Sequence, residues 1–131
     1  MTDLTSQEVF DFSARHLIKQ GRPARRLPSH VGKVSCQYHT DEGLKCGIGC
    51  FIPDDRYHPA MDSGDFHVTQ VLTMAGLKSL DDQHNNLLLG LRWAHDVTTD
   101  WPVGLKAKLL IITKCFDLNP GVLDEKPTTR A

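Results

Sequence analysis

Ser79-Leu-Asp-Asp-Gln-His-Asn-Asn-Leu-Leu-Leu-Gly-Leu-Arg-Trp-Ala-His-Asp96 carries the strongest periodic signal in the chain. Leu80, His84, Leu87, Leu88, Leu91 and Ala94 or His95 recur at steps of three and four, the pattern of a helix with one face buried. Ser79 suits the cap position, and Asp81 and Asp82 suit the positive first turn. A long amphipathic helix needs other elements to cover its stripe, so the rest of the chain is read for partners.

Two further helices qualify. Thr5-Ser6-Gln7-Glu8 has the form of a capping box. Val9, Phe10, Ser13, Ala14, Leu17 and Ile18 follow at helical spacing, and Gly21 suits the left-handed position beyond the last turn. A helix is expected over 6–20. Asp100 and Pro102 mark another start, with Trp101, Leu105, Leu109, Ile112 and Phe116 as its stripe. A weak helix is expected over 68–75, closed by Gly76.

Between them the pattern changes. Val34, Cys36 and Tyr38 alternate with Lys33, Ser35 and Gln37, as in a short strand. Thr40-Asp41-Glu42-Gly43 reads as a turn and 44–46 as a returning strand. Gly47 and Gly49 disfavour a long helix, Pro53-Asp54-Asp55 is a turn signal, and 57–65 reads as a loop. The expected class is therefore α+β: mainly helical, with three principal helices, short ones, and a small β-hairpin. Residues 1–118 are expected to form a single globular domain. Residues 119–131, with two prolines and few apolar residues, are expected to form a flexible tail.

The chain has 131 residues, of which 40% are hydrophobic and 24% charged, with a formal net charge of −1. This size supports a core without disulfides or metal. The charge balance argues against binding nucleic acid by bulk attraction. Met1 to Gln7 is polar, unlike a signal peptide, and Leu109 to Ile112 is too short a run to span a bilayer. A cytoplasmic address is expected, with the four cysteines as thiols or metal ligands and no membrane partner.

Four constellations carry chemistry. Cys36, His39, Cys46 and Cys50 read C-x2-H-x6-C-x3-C, a set of ligand types that could close on zinc, although the spacing departs from paired C-x2-C motifs. Cysteine packed as a small hydrophobe explains the same residues. Cys46 or Cys50, among glycines and with His39, His58 or His95 as base, could serve as a nucleophile. Gly47 and Gly49 are also explained by a tight turn or close backbone packing. His95-Asp96, with His84 on the same helix, brings metal phosphohydrolases to mind, although a His at a helix end is commonly there for the dipole or for burial. Last, Arg22, Arg25, Arg26, Lys33, Lys45 and Arg56 are interleaved with Tyr38, Phe51 and Tyr57, the residue types that grip phosphate and stack on a base. Asp41, Glu42, Asp54 and Asp55 dilute that field.

The segment Cys36-Gln-Tyr-His-Thr-Asp-Glu-Gly-Leu-Lys-Cys-Gly-Ile-Gly-Cys-Phe-Ile-Pro-Asp-Asp-Arg-Tyr-His-Pro59 resembles a family of small proteins of bacteriophages and their bacterial hosts. There a Cys-x-Tyr and a Gly-Leu-Lys/Arg-Cys-Ala-Ile/Val-Gly run lead into Ile-Pro-Asp and Tyr-x-Pro. The opening helix and a later helix ending in His-Asp are also similar. The resemblance implies a phage or prophage setting and no particular activity. Gly47 stands where the family has alanine, which is expected to loosen the turn. His39 stands where a basic or other polar residue is usual.

The expected function is a non-enzymatic phage-type accessory protein, without cofactor, that inhibits a host protein or captures a host nucleotide signal in counter-defence. Homo-oligomers are compatible with this reading. The expected contact residues are Arg25, Arg26, Tyr38, Arg56, Tyr57 and Trp93, since arginine and aromatic side chains dominate binding energy. The alternatives are a cysteine- or metal-dependent hydrolase and a zinc-stabilised interaction module.

Overall fold

A computed structural model of the chain describes residues 4–26, 35–40, 42–62, 66–98, 101 and 103–124; of Arg25, Arg26, Ser35 and Cys36 it describes the backbone. The strand start at Lys33-Val34 and the helix signals Asp100 and Pro102 lie outside the described residues.

Helix α1 spans Ser6–Gln20. Thr5 Oγ1 accepts from the Glu8 amide at 3.1 Å and the Thr5 amide donates to Glu8 Oε1 at 2.9 Å, so two otherwise orphaned donors are satisfied. At the other end Gly21 takes φ 76° and returns its amide to the Leu17 carbonyl. Val9, Phe10, Ala14 and Leu17 are fully buried along its inner face.

Helix α2 spans Val68–Met74 and turns through Gly76 into helix α3, Lys78–Val97. The cap position of α3 is Leu77, one residue outside Lys78, so Ser79 sits inside the first turn instead of capping it. His84 leaves helical geometry (φ −133°, ψ 21°) and kinks α3. Its Nε2–H donates to the Leu4 carbonyl at 2.7 Å, and Nδ1 lies 3.4 Å from Ser6 Oγ. The kink is thus tied to the start of α1 by the ring that leaves the helical path.

Helix α4, Val103–Phe116, packs beside α3 and over α1. The four helices close on one core, with Phe10, Leu72, Leu87, Leu88, Leu91, Leu105 and Leu109 all within 2% of complete burial. No helix among the described residues is long and apolar enough to cross a membrane.

The expected α+β class is overturned. The molecule is mainly helical, and among the described residues no β-layer lies against the helices. Among the described residues the expected hairpin of 33–38 with 44–46 is not seen. Strand pairing among the described residues consists of Arg25–Arg26 against Ser35–Cys36, two residues each, and a single antiparallel bridge between His39 and Lys45. The physical cause lies just past Cys46. The Cys50 amide bonds the Cys46 carbonyl at 3.1 Å and the chain coils into a 3-10 turn at Gly49–Phe51, so the return strand ends after one bridge.

The stretch expected to hang loose from Asn119 is tied down as far as Asp124. Gln7 Nε2 donates to the Asn119 carbonyl at 2.9 Å and the Asn119 amide donates to Gln7 Oε1 at 2.8 Å. Beyond it a 3-10 turn, Gly121–Asp124, buries Val122 and Leu123. Residues 125–131 lie outside the described residues.

Candidate functional site

The described residues of 37–62 contain no α-helix, only 3-10 turns at Gly49–Phe51, Asp54–Arg56 and Pro59–Asp62. Irregular segments of this length are uncommon inside compact domains and are usually either functional or linkers. What distinguishes this one is how firmly it is held. Asp62 grips both ends: Oδ1 accepts the Tyr38 amide at 2.8 Å and Oδ2 accepts the Tyr57 hydroxyl at 2.5 Å. The Tyr57 ring stacks on His39, with centroids 4.3 Å apart and planes inclined by 12°. His39 is buried and donates from Nε2 to the Gly49 carbonyl at 2.9 Å. Burial holds its imidazole below the usual 6.5, against the opposing pull of the Gly49 carbonyl and of Asp54. Asp54 lies 3.2 Å from Lys45 Nζ.

Helix α1 clamps the same segment from beneath. Gln20 accepts from the Lys45 amide at 2.8 Å and donates to its carbonyl at 3.0 Å, while Ser13 Oγ donates to the Gly47 carbonyl at 2.7 Å. Gly47 does not loosen the turn. A Cβ there would lie 2.7 Å from the Leu91 carbonyl oxygen, so the missing side chain lets the segment press on the α3 backbone. Close backbone packing, rather than conformational freedom, explains this glycine.

The thiols face inward. Cys46 Sγ accepts the Gly49 amide at 3.2 Å, and Cys50 Sγ donates to the Gly47 carbonyl at 3.4 Å. Burial pushes the Cys46 thiol up to about 12 and raises that of Cys50 as well. The nucleophile of a cysteine enzyme is the thiolate, which burial disfavours at both positions. Among the described residues no three His, Cys, Asp or Glu side chains are placed to hold a metal ion. His39, Cys46 and Cys50 each bond backbone instead, and the Cys36 side chain lies outside the described residues. With the native protein and a water-soluble maleimide, peptide mapping is expected to show exposed Cys115 modified within minutes, and Cys46 and Cys50 protected until denaturant is added. Equal labelling of Cys46 in the native state would contradict this burial.

His95 is fully buried. The Ala24 amide donates to Nε2 at 2.7 Å, so the proton is on Nδ1 and is given to Asp96 Oδ1 at 2.6 Å. Asp96 in turn accepts from Arg92 Nε at 3.3 Å, and the Arg92 guanidinium lies 5.6 Å from the centre of the Tyr38 ring. Burial raises the Tyr38 phenol to about 12. Gln37, Tyr38, Cys46, Arg92 and Asp96 line a cavity of about 10 Å³, room for a single water. Both His95 nitrogens are committed, and His84 is occupied at the kink. The His-Asp pair ties α3 to the segment after α1.

Among the described residues, the expected contact residues are spread over different settings. Tyr38 is buried under Arg92, and Tyr57 is half-buried in the segment's own frame. Arg56 is exposed and donates to the Ala75 carbonyl at 3.3 Å across Gly76. Trp93 stands on α3, 42% exposed. Arg25 and Arg26 have their side chains outside the described residues. Sequence reasoning missed Asp62 and Gln20, the two residues that organise the segment. Little in their neighbourhood marks them, since the bonds that hold Tyr38 and Lys45 go to main-chain groups that any residue supplies. No family model, curated protein or solved structure matches this chain.

Proposed function

We propose that this chain is a non-enzymatic phage-type accessory protein that binds and inhibits a host protein through the plateau formed by 37–62. The observation that supports this reading is the preorganisation of the plateau. Asp62, His39 and Gln20 spend their hydrogen bonds holding an irregular segment rigid, while Pro53, Asp54, Asp55, Arg56 and His58 stand exposed on it. A segment fixed before binding loses little entropy when it docks. The phage setting rests on the resemblance of Cys36–Pro59.

The plateau is read as a surface for a protein target. An open cavity of about 270 Å³ at the α3 kink is lined by Ser6, Gln83, His84, Asn85, Asn86 and Phe116, with no lysine or arginine to receive phosphate. The test is affinity capture from a bacterial host lysate with the parent protein and with the double variant Asp55→Arg, Arg56→Glu. The parent is expected to retain one host protein at near-stoichiometric yield, and the variant about tenfold less with the circular dichroism spectrum of the parent, its melting temperature falling only by the loss of the Arg56–Ala75 bond. No retained protein, or equal retention by the variant, would defeat the reading.

A further inference from the structure

Two histidines from different elements converge on Lys45. His16 stands half-buried on α1, and its Nε2–H donates to Gln20 Oε1 at 3.0 Å, the same oxygen that accepts the Lys45 amide at 2.8 Å. His39 is the antiparallel bridge partner of Lys45, and its Nδ1 lies 3.5 Å from Asp54 Oδ1. Lys45 Nζ lies 3.2 Å from that same oxygen. A single carboxylate oxygen is thus shared by His39 and by a lysine that is only 23% exposed, while Asp54 itself is 84% exposed to water. His16 meets the Lys45 charge and, from α3, His95. His39 meets Lys45 and Asp54, with Tyr57 stacked on its ring, Asp62 beyond the Tyr57 hydroxyl, and the main chain of Gly49 and Ile52 at its edge. A proton added to either ring sets a second cation beside Lys45 in a partly dry site. Protons on both set three cations around one carboxylate that water already screens.

We propose that His16 and His39 form a proton-operated latch on the plateau: neutral, they hold its Lys45 end closed, and charged in mild acid they loosen it. Burial lowers both imidazoles from the usual 6.5, and the Lys45 charge acts in the same direction. Opposing it are the bonds of His16 to Gln20 and the Lys45 main chain, and those of His39 to the Gly49 and Ile52 main chain with the charge of Asp54. The opened segment takes up protons at the ordinary value, the closed one only at lower pH. Closure is therefore complete above 6.5 and is lost as the pH falls from there through the lowered values of the folded state. Each proton taken up raises the open fraction by up to about tenfold per pH unit. The latch concerns the rigidity of 37–62 alone, so it stands or falls separately from the host-binding reading, which is tested by capture at neutral pH.

Nuclear magnetic resonance of the full chain tests the proposal, following the imidazole Cε1 protons and the Lys45 amide from about pH 7.5 to about pH 5. Both histidines are expected to titrate below 6.5. Exchange protection of the Lys45 amide, corrected for the intrinsic pH dependence of exchange, is expected to fall at least about tenfold across that range. The amide of Leu109 in the core of α4 is expected to keep its protection. The double variant His16→Gln, His39→Gln, whose side chains take up no proton, is expected to show no fall at Lys45. Lys45→Gln keeps the main chain of residue 45 and removes the shared cation, so it is expected to raise both histidine titrations together, a response that a packing role alone would not give. The parent and Lys45→Gln titrations decide the matter even where the double glutamine variant does not fold. Either histidine titrating at or above 6.5 in the parent overturns the latch, as does flat protection at Lys45. So does an equal fall in the double variant, or a Lys45→Gln chain in which the two histidines do not both move.

Discussion

Gly49→Ala is expected to shift the urea unfolding midpoint far below that of the parent. A Cβ at this position would lie 2.0 Å from the Tyr38 carbonyl oxygen, 2.7 Å from its carbon and 2.9 Å from its Cα. All three are backbone atoms, so no side chain can rotate away. Tyr38 cannot retreat either. Its amide is held by Asp62, its carbonyl accepts the Cys46 amide at 3.3 Å, and Arg92 lies over its ring. Gly49 is fixed from its own side, because its amide bonds Cys46 Sγ and its carbonyl holds His39. Ordinary overpacking costs about 1–3 kcal/mol. A clash between two pinned backbones is expected at or above the top of that range, about 3–5 kcal/mol, against a total stability on the order of 5–15 kcal/mol. Urea denaturation reads the loss directly. Gly43→Ala is the control: Gly43 has φ 86° but nothing within 4 Å of an added Cβ, so it is expected to cost only the strain of a left-handed alanine, about 1–2 kcal/mol. Equal losses at the two glycines would show that conformation, not contact, governs Gly49.

His95→Ala is expected to cost about 3–4 kcal/mol. Two effects combine. Truncation opens a cavity in a site that is fully buried, and the Ala24 amide, itself fully buried, loses its acceptor. Ala24 is a junction, since its carbonyl also accepts the Gln37 amide at 2.8 Å. The imidazole therefore links α3 to the chain leaving α1 and, through it, to the start of the plateau. Hydrogen exchange of the Ala24 amide gives an independent readout. It is expected to lose its protection in the variant while the amides of α4 keep theirs. A loss under about 1 kcal/mol with Ala24 still protected would mean that a neighbour replaces the ring.

The helices were legible because their evidence is local. The capping box at Thr5, the left-handed Gly21 and the stripe through Leu80, Leu87, Leu91 and Ala94 each depend on residues within one or two turns. The plateau was legible as unusual but not as a structure. An alternating run such as 34–38 becomes a strand only if a partner continues beside it, and Gly49 diverts that partner into a turn against Tyr38. Which aromatic turns outward was likewise hidden. Tyr38 and Trp93 both read as exposed contacts, but the first lies beneath Arg92 and the second on the outer face of α3. His95 illustrates the general difficulty. A histidine beside an aspartate suggests chemistry in one dimension, whereas a fully buried ring that accepts one amide and donates to one carboxylate is a strut. The candidate site rests on bonds from Asp62 and Gln20 to main-chain groups, which leave no mark on composition or spacing.

The reciprocal pair of bonds between Gln7 and Asn119 sets a schedule for the chain as it is made. During synthesis α1 is made well before Asn119, whose main chain its Gln7 side chain holds, and before the 121–124 turn that packs on it later still. At roughly 5–20 residues per second the interval is on the order of ten seconds. His84, which holds Leu4, arrives earlier but still well after α1 has been exposed. The apolar face of α1, Val9, Phe10, Ala14 and Leu17, therefore waits uncovered beside the ribosome, the stage at which a nascent chain of this kind is most open to chaperones and to mispairing with its neighbours on the same message.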